Sequence, residues 1–218
     1  MSSSIQIVQF RLDFEEFEIS APMMGSCDND TLMITGADVV TTRNLPTNLC
    51  GVLTGQHIYL SVKDSSSVSL SVSMASLNST QKWKILVRQF DSSQTDYLAP
   101  RGCLQYYRED VGKIMSFNSA GAWPELLNDQ MYSICIAQND AYCDVALTAN
   151  TFDLTGTPGT CNDSIAFGVN QACGTSLGFN RCNFETDFST PTNPFYYQGT
   201  TRGTTSSPSS QTATTPRW

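Results

Sequence analysis

The residues whose types and spacing could do chemistry are few. Gly174-Thr175-Ser176-Leu177-Gly178 matches G-x-S-x-G, the pattern that raises a nucleophilic serine on a strand–turn–helix elbow. That chemistry needs a histidine base after the serine, and the one histidine, His57, lies far upstream. Phe179-Asn180-Arg181-Cys182 does not read as a helix, and no G-D-S-G-G sequence serves a fold with the histidine first, so no hydrolase triad assembles. His57 falls on the face opposite Ile58 and Leu60 and reads as a surface histidine on the wet side of a strand. The acidic residues Glu15, Glu16, Glu18, Asp28 and Asp30 offer the hard oxygens that calcium takes, and read alone they form a solvated acidic face. Eight cysteines, an even number without paired C-x-x-C knuckles, argue for disulfides over structural zinc and so for an oxidising compartment. The sequons Asn29-Asp30-Thr31, Asn78-Ser79-Thr80 and Asn162-Asp163-Ser164 point the same way, as glycosylation sites.

The elements that must position these residues read as strands. Phe10, Leu12 and Phe14 alternate with Arg11 and Asp13, and Phe17 and Ile19 continue the apolar set after a phase slip at Glu15-Glu16 that predicts a bulge. Leu32 and Ile34 open a strand directly after Cys27, and Ile58, Leu60 and Val62 open another after Cys50. Val68, Leu70, Val72 and Met74 alternate with serines, and Trp83, Ile85 and Val87 with Lys82, Lys84 and Arg88, so both read as strands with one wet face. Asn44-Leu45-Pro46 and Leu77-Asn78-Ser79 read as turns, and no segment carries a 3.6-residue period. Tyr106-Tyr107 and Phe195-Tyr196-Tyr197 could be binding aromatics, although strand aromatics more often face a core or a cross-strand neighbour.

Composition bounds the rest. In 218 residues, 40% are hydrophobic, enough for a packed core, and only 15% are charged, below the usual ~25%. A net charge of −8 without a basic run argues against a nucleic-acid surface. No run of ~20 apolar residues predicts a transmembrane helix. The opening MSSSIQIVQF has neither the basic nor the apolar region of a signal peptide, so the expectation is a longer secreted protein whose beginning is missing.

The combination Leu12, Phe14, Phe17, Ile19, then Cys27, Asp30, Leu32, Ile34, then Cys50-Gly51 resembles the CUB domain, a secreted β-sandwich. Gly102-Cys103-Leu104-Gln105-Tyr106-Tyr107, Ser116-Phe117-Asn118, Tyr132 to Ile136 and Tyr142-Cys143 resemble a second copy, like the paired CUB units of uncharacterised arthropod secreted proteins. Those proteins often carry a cysteine where this chain has Val8. Cys161-Asn162-Asp163-Ser164-Ile165 roughly repeats the first motif, with the acid two residues after the cysteine rather than three. The resemblance implies an all-β fold of antiparallel, jelly-roll-type sandwiches in two tandem units: 1–92, N-terminally truncated; a linker at 93–100; 101–190, poorly closed; and a Ser/Thr-rich disordered tail at 191–218.

The same resemblance implies the bridges Cys27–Cys50, Cys103–Cys135 and Cys161–Cys173, leaving Cys143 with Cys182. The sequence by itself leaves three connectivities open for the last four. In many CUB domains a glutamate, an aspartate and a second aspartate hold calcium. Asp30 matches the middle ligand, but Ser20 stands at the glutamate position and Ser71–Met74 offers no aspartate. Glu18 could serve only after a register shift, and Thr155 and Ser164 take the equivalent places in the second unit, so no cofactor is expected. The function implied is non-catalytic extracellular binding of protein or glycan. The rivals are a non-catalytic piece of a secreted protease, which the full-length transcript would reveal, and a structural cuticle-type protein, which should carry low-complexity repeats through its body.

Overall fold

The structure, a computed structural model, describes residues 6–63, 67–75, 80–122, 124–137, 144–157, 159–167, 170–177, 181–183, 195–199 and 210–214. It is built of strands. The first stretch holds β1 (Ile7–Glu18), β2 (Thr31–Thr35), β3 (His57–Ser61), β4 (Ser69–Ser73) and β5 (Lys82–Asp91). Then come β6 (Gln105–Tyr107), β7 (Val111–Met115), β8 (Gln130–Ile136), β9 (Asp144–Thr151), β10 (Gly156–Thr157), β11 (Thr160–Cys161), β12 (Ser164–Phe167), β13 (Asn170–Ala172), β14 (Arg181–Asn183), β15 (Phe195–Gly199) and β16 (Ser210–Thr214). One short helix, α1 (Val39–Asn44), is capped by Asp38, whose carboxylate accepts from the Thr41 N–H at 2.8 Å. Six residues are too few to print a helical period, so the sequence pattern passes over it.

β1 lies between β3 and β5, antiparallel to both. Its register with β5 shifts between Phe14 and Glu16, a bulge that returns Phe17 to the core side. β2 pairs with β4. In the second stretch one sheet runs β13-β12-β15-β8-β6 and another β14-β9-β16-β7, with β10 and β11 a small hairpin. Among the strand pairs of the described residues only β6 and β8 run parallel.

The two stretches share one core. Leu12, Phe14, Phe17, Leu32, Ile58 and Leu60 pack in the same buried cluster as Leu104, Phe117, Tyr132, Ile134, Val145 and Ile165. Leu104 stitches them: its carbonyl accepts from the Tyr59 N–H at 2.8 Å and its N–H donates to the Ser133 carbonyl at 2.9 Å. Residues 93–100, expected as a linker, are drawn in. The Gln9 side chain donates to the Ala99 carbonyl at 3.1 Å and accepts from the Ala99 N–H at 2.8 Å.

Two further expectations differ from the structure. The tail expected as disordered carries β15 and β16, each hydrogen-bonded on both sides, β15 between β12 and β8 and β16 between β9 and β7. A strand with both edges paired has its backbone groups satisfied by partners elsewhere in the chain, which composition cannot register. In β5 the alternation does not mark a buried face. Ile85 packs on the core, but Trp83 is 54% exposed and Val87 is exposed too, so the apolar face of this strand is left largely uncovered.

Disulfides join Cys27 to Cys50, Cys103 to Cys135 and Cys161 to Cys173. Each closes a ring worth about 3 kcal/mol by loop entropy. Cys143 lies outside the described residues, and so does the side chain of Cys182 on β14, so the pairing expected for those two does as well.

Candidate functional site

Asp30 follows Cys27 at the entry to β2 and is 1% exposed. Its Oδ2 accepts from the Ser20 N–H at 3.0 Å and from the Gln81 side-chain amide; its Oδ1 accepts from the Ala75 N–H at 2.8 Å. The Gln81 amide also donates to Ser20 Oγ at 3.2 Å. The groups around this carboxylate therefore present hydrogens, whereas calcium needs oxygen lone pairs. The residues do not fit the ion. Asp30 instead clasps three segments together. Among the described residues no three His, Cys, Asp or Glu side chains lie together as a metal site. Glu15 pairs with Lys84 at 2.7 Å and Glu16 with Lys82 at 3.6 Å across β1 and β5, and Glu18 and Asp28 are exposed. In the second stretch the Thr155 carbonyl accepts from the Asn162 and Asp163 N–H groups, and Ser164 Oγ accepts from Gln171 at 2.7 Å.

His57 is not the surface residue its strand face implies. It is 6% exposed, because β6 lies across that face. Its Nε2 accepts from the Tyr106 N–H at 3.0 Å, and its ring meets Tyr107 edge-on at 5.0 Å and Tyr59 at 5.6 Å. Burial, then the nearby Arg11 charge, pushes it down to about 4, so it is neutral at pH 7. With its acceptor nitrogen already used it is no base for Ser176, which sits exposed just after a turn at Thr175. Tyr107 is half-buried against His57, and burial pushes its phenol pKa up. Residues 195–197 lie on β15, and their side chains are outside the described residues.

The concave feature that does gather polar chemistry lies on the outer face of β3-β1-β5. Period two turns Leu12 and Phe14 inward and Arg11 and Asp13 outward. In register, Arg11 lies between Tyr59 of β3 and Arg88 of β5. The Asp13 carboxylate accepts from Arg11 Nε at 2.8 Å and also binds the Arg88 guanidinium. Arg11 Nη1 donates to the Tyr59 hydroxyl at 2.9 Å, and the guanidinium carbon lies 5.3 Å from that ring's centre. Burial opposes the Arg11 charge, but its bonds to Asp13 and Tyr59 outweigh this and its pKa is raised.

One end of this face is walled by Phe90, against which Tyr97 of the 3-10 turn Thr95–Tyr97 is stacked, 5.9 Å between centroids and 6° from parallel. The other is walled by Arg108 and Glu109, with the Arg108 guanidinium 6.0 Å from the Tyr106 ring. Arg11, Tyr59, Arg88, Phe90, Gln94, Asp96, Tyr97, Arg108 and Glu109 line a cleft of about 770 Å³. Sequence reading marks Arg11 and Asp13 as a wet face and weighs Tyr106, but Arg88, Tyr97 and Arg108 join them only through tertiary pairing. The arrangement offers planar forks and aromatic faces, which bind; it offers no nucleophile paired with a base.

Of the three sequon asparagines, Asn29 and Asn162 are exposed on bends, and Asn78 lies outside the described residues. Among the described residues no helix is long and apolar enough to cross a membrane.

A family model described as the animal CUB domain matches residues 100–216. Among solved structures, the chain is similar to the CUB1-EGF-CUB2 domains of rat MASP-1, at 10% identity and a TM-score of 0.33 over 95% of this chain and 87% of that one. It is similar also to the CUB1-EGF-CUB2 domain of human MASP-1/3, at 12% identity and a TM-score of 0.34 over 96% of this chain and 89% of the other. None of the curated proteins matches.

Proposed function

This chain belongs to the animal CUB domain family, and from that we propose that it is a non-catalytic extracellular binding protein whose ligand is a protein or a glycan. CUB domains are in general extracellular interaction modules. The observation that carries the proposal is a disulfide-fastened frame presenting a preformed cleft of guanidinium forks and aromatic faces. We read the chain as two related units, the second extending to the C-terminal strands. The repeated order of cysteine, aspartate and Cys-Gly in 27–51 and 161–174 supports this. Exposed Asn29 and Asn162 support N-linked glycans at both sites.

Mass spectrometry of the native protein tests the reading. Bridged cysteines and glycan on Asn29 and Asn162 are expected. Free thiols throughout with unmodified asparagines would contradict an extracellular protein. The full-length transcript separates this reading from that of a protease piece, which requires a catalytic domain encoded in the same transcript.

A further inference from the structure

We infer that the cleft between Arg11, Arg88 and Arg108 is a saccharide site selective for a sugar that carries a carboxylate; this rests on the binding reading above. Three of the chain's eight arginines meet there, on a molecule whose net charge is −8. Asp96 and Glu109 in the lining and Asp13 beneath Arg11 and Arg88 balance these charges, so an anion that is disfavoured over much of the surface meets no net repulsion here and finds guanidinium forks to pair with. A guanidinium fork matches a carboxylate edge to edge. Arg11 is held in place by Asp13 and Tyr59 before any ligand arrives, so little side-chain freedom is lost on binding. Arg88 keeps 48% of its side chain exposed while paired to Asp13, and Arg108 is exposed at the far wall.

The remaining groups select a sugar over an acidic peptide. Tyr97, 60% exposed and braced by the Phe90 ring beneath it, is a flat apolar platform on which the C–H face of a sugar ring packs. Asp96 and Glu109 sit among the arginines. Their carboxylates accept hydrogen bonds from sugar hydroxyls but repel a run of acidic side chains. One carboxylate per one or two rings, spaced by hydroxyls, satisfies both sets of groups.

Titration calorimetry on the full chain tests this with three probes. They are a hexasaccharide alternating glucuronate and N-acetylglucosamine, the same hexasaccharide with its carboxylates reduced to alcohols, and hexaglutamate. The acidic sugar is expected to bind at least tenfold more tightly than the reduced one. Arg88→Gln and Arg108→Gln should each erase most of that difference. Tyr97→Ala should weaken both sugars alike, with the thermal midpoint of all three variants within two degrees of the parent. Equal binding of the two sugars, tighter binding of hexaglutamate, or no binding of any probe overturns the inference and leaves the binding reading standing. Time-dependent shortening of the hexasaccharide, read by mass spectrometry, overturns the non-catalytic reading instead.

Discussion

The loops that follow Cys27 and Cys161 begin alike and are finished differently. Each starts at a bridged cysteine, carries a buried aspartate (Asp30, Asp163), runs into a strand and closes on Cys-Gly. Gly51 and Gly174 both have a φ of +76°, a conformation that side chains rarely adopt. Both also pair with the end of a preceding strand segment: Ile19 N–H donates to the Gly51 carbonyl at 3.1 Å, and Leu154 N–H to the Gly174 carbonyl at 2.9 Å. The second ring spans 12 residues and holds a hairpin, and its contact with the Thr155 carbonyl is local. The first spans 23 and recruits distant chain. Asp30 gathers residues 20, 75 and 81, and Gly51 receives Asn118, whose Oδ1 accepts from the Val52 N–H at 3.1 Å. One motif thus serves once as a hairpin clip and once as a long-range clasp, and the clasp, rather than the ring, is where the first stretch is vulnerable.

Ring and clasp can be separated by experiment. Reducing all three bridges has the largest expected effect. At about 3 kcal/mol each the total approaches the whole stability of an ordinary domain, so the chain should unfold in excess reductant at room temperature. Asp30→Ala, which strips the carboxylate from three donors, should cost about 4 kcal/mol, more than either ring alone. Paired Cys→Ala variants should show the two rings nearly equal, about 3.4 kcal/mol for 27–50 and about 2.8 for 161–173 by urea denaturation. A second ring costing twice the first would break the comparison. Calcium or a chelator should leave the thermal midpoint of the parent unmoved; a chelator-reversible rise of several degrees would refute the clasp.

His57 tests the seam where β6 covers β3. Its folded pKa lies below its unfolded value near 6.5, so the contribution of the neutral ring is complete above pH 6.5. It is lost as pH falls towards about 4, where the unfolded chain takes a proton the folded one refuses. The loss is roughly 3 kcal/mol, and His57→Gln should flatten the stability profile in that window. The smallest effect separates the two glycines. A Cβ at Gly51 would stand 2.0 Å from Asn118 Oδ1, so Gly51→Ala should cost about 2 kcal/mol. Gly174→Ala meets the same backbone strain, which alone costs about 1 kcal/mol.

What the sequence disclosed was local. Alternation along Phe10, Leu12 and Phe14 needs only neighbouring residues to be seen, and so does the slip at Glu15-Glu16. The pairings that sequence cannot carry come from afar. His57 reads as wet because β6 is some fifty residues away. The tail reads as disordered because the strands that pair with β15 and β16 lie elsewhere in the chain. The arginine cleft is drawn from residues 11 to 108, and no window of the chain contains it. Asp30 was legible as a residue of consequence, but its donors at 75 and 81 were not, so the type of site was open until the fold supplied them.

Asn128 donates to the Met24 carbonyl at 2.8 Å and its backbone N–H to that of Gly25, beside the hook that Asn118 sets into Gly51. With a common interior behind these hooks, cutting the gene at residue 100 should yield two pieces each missing part of its own wall.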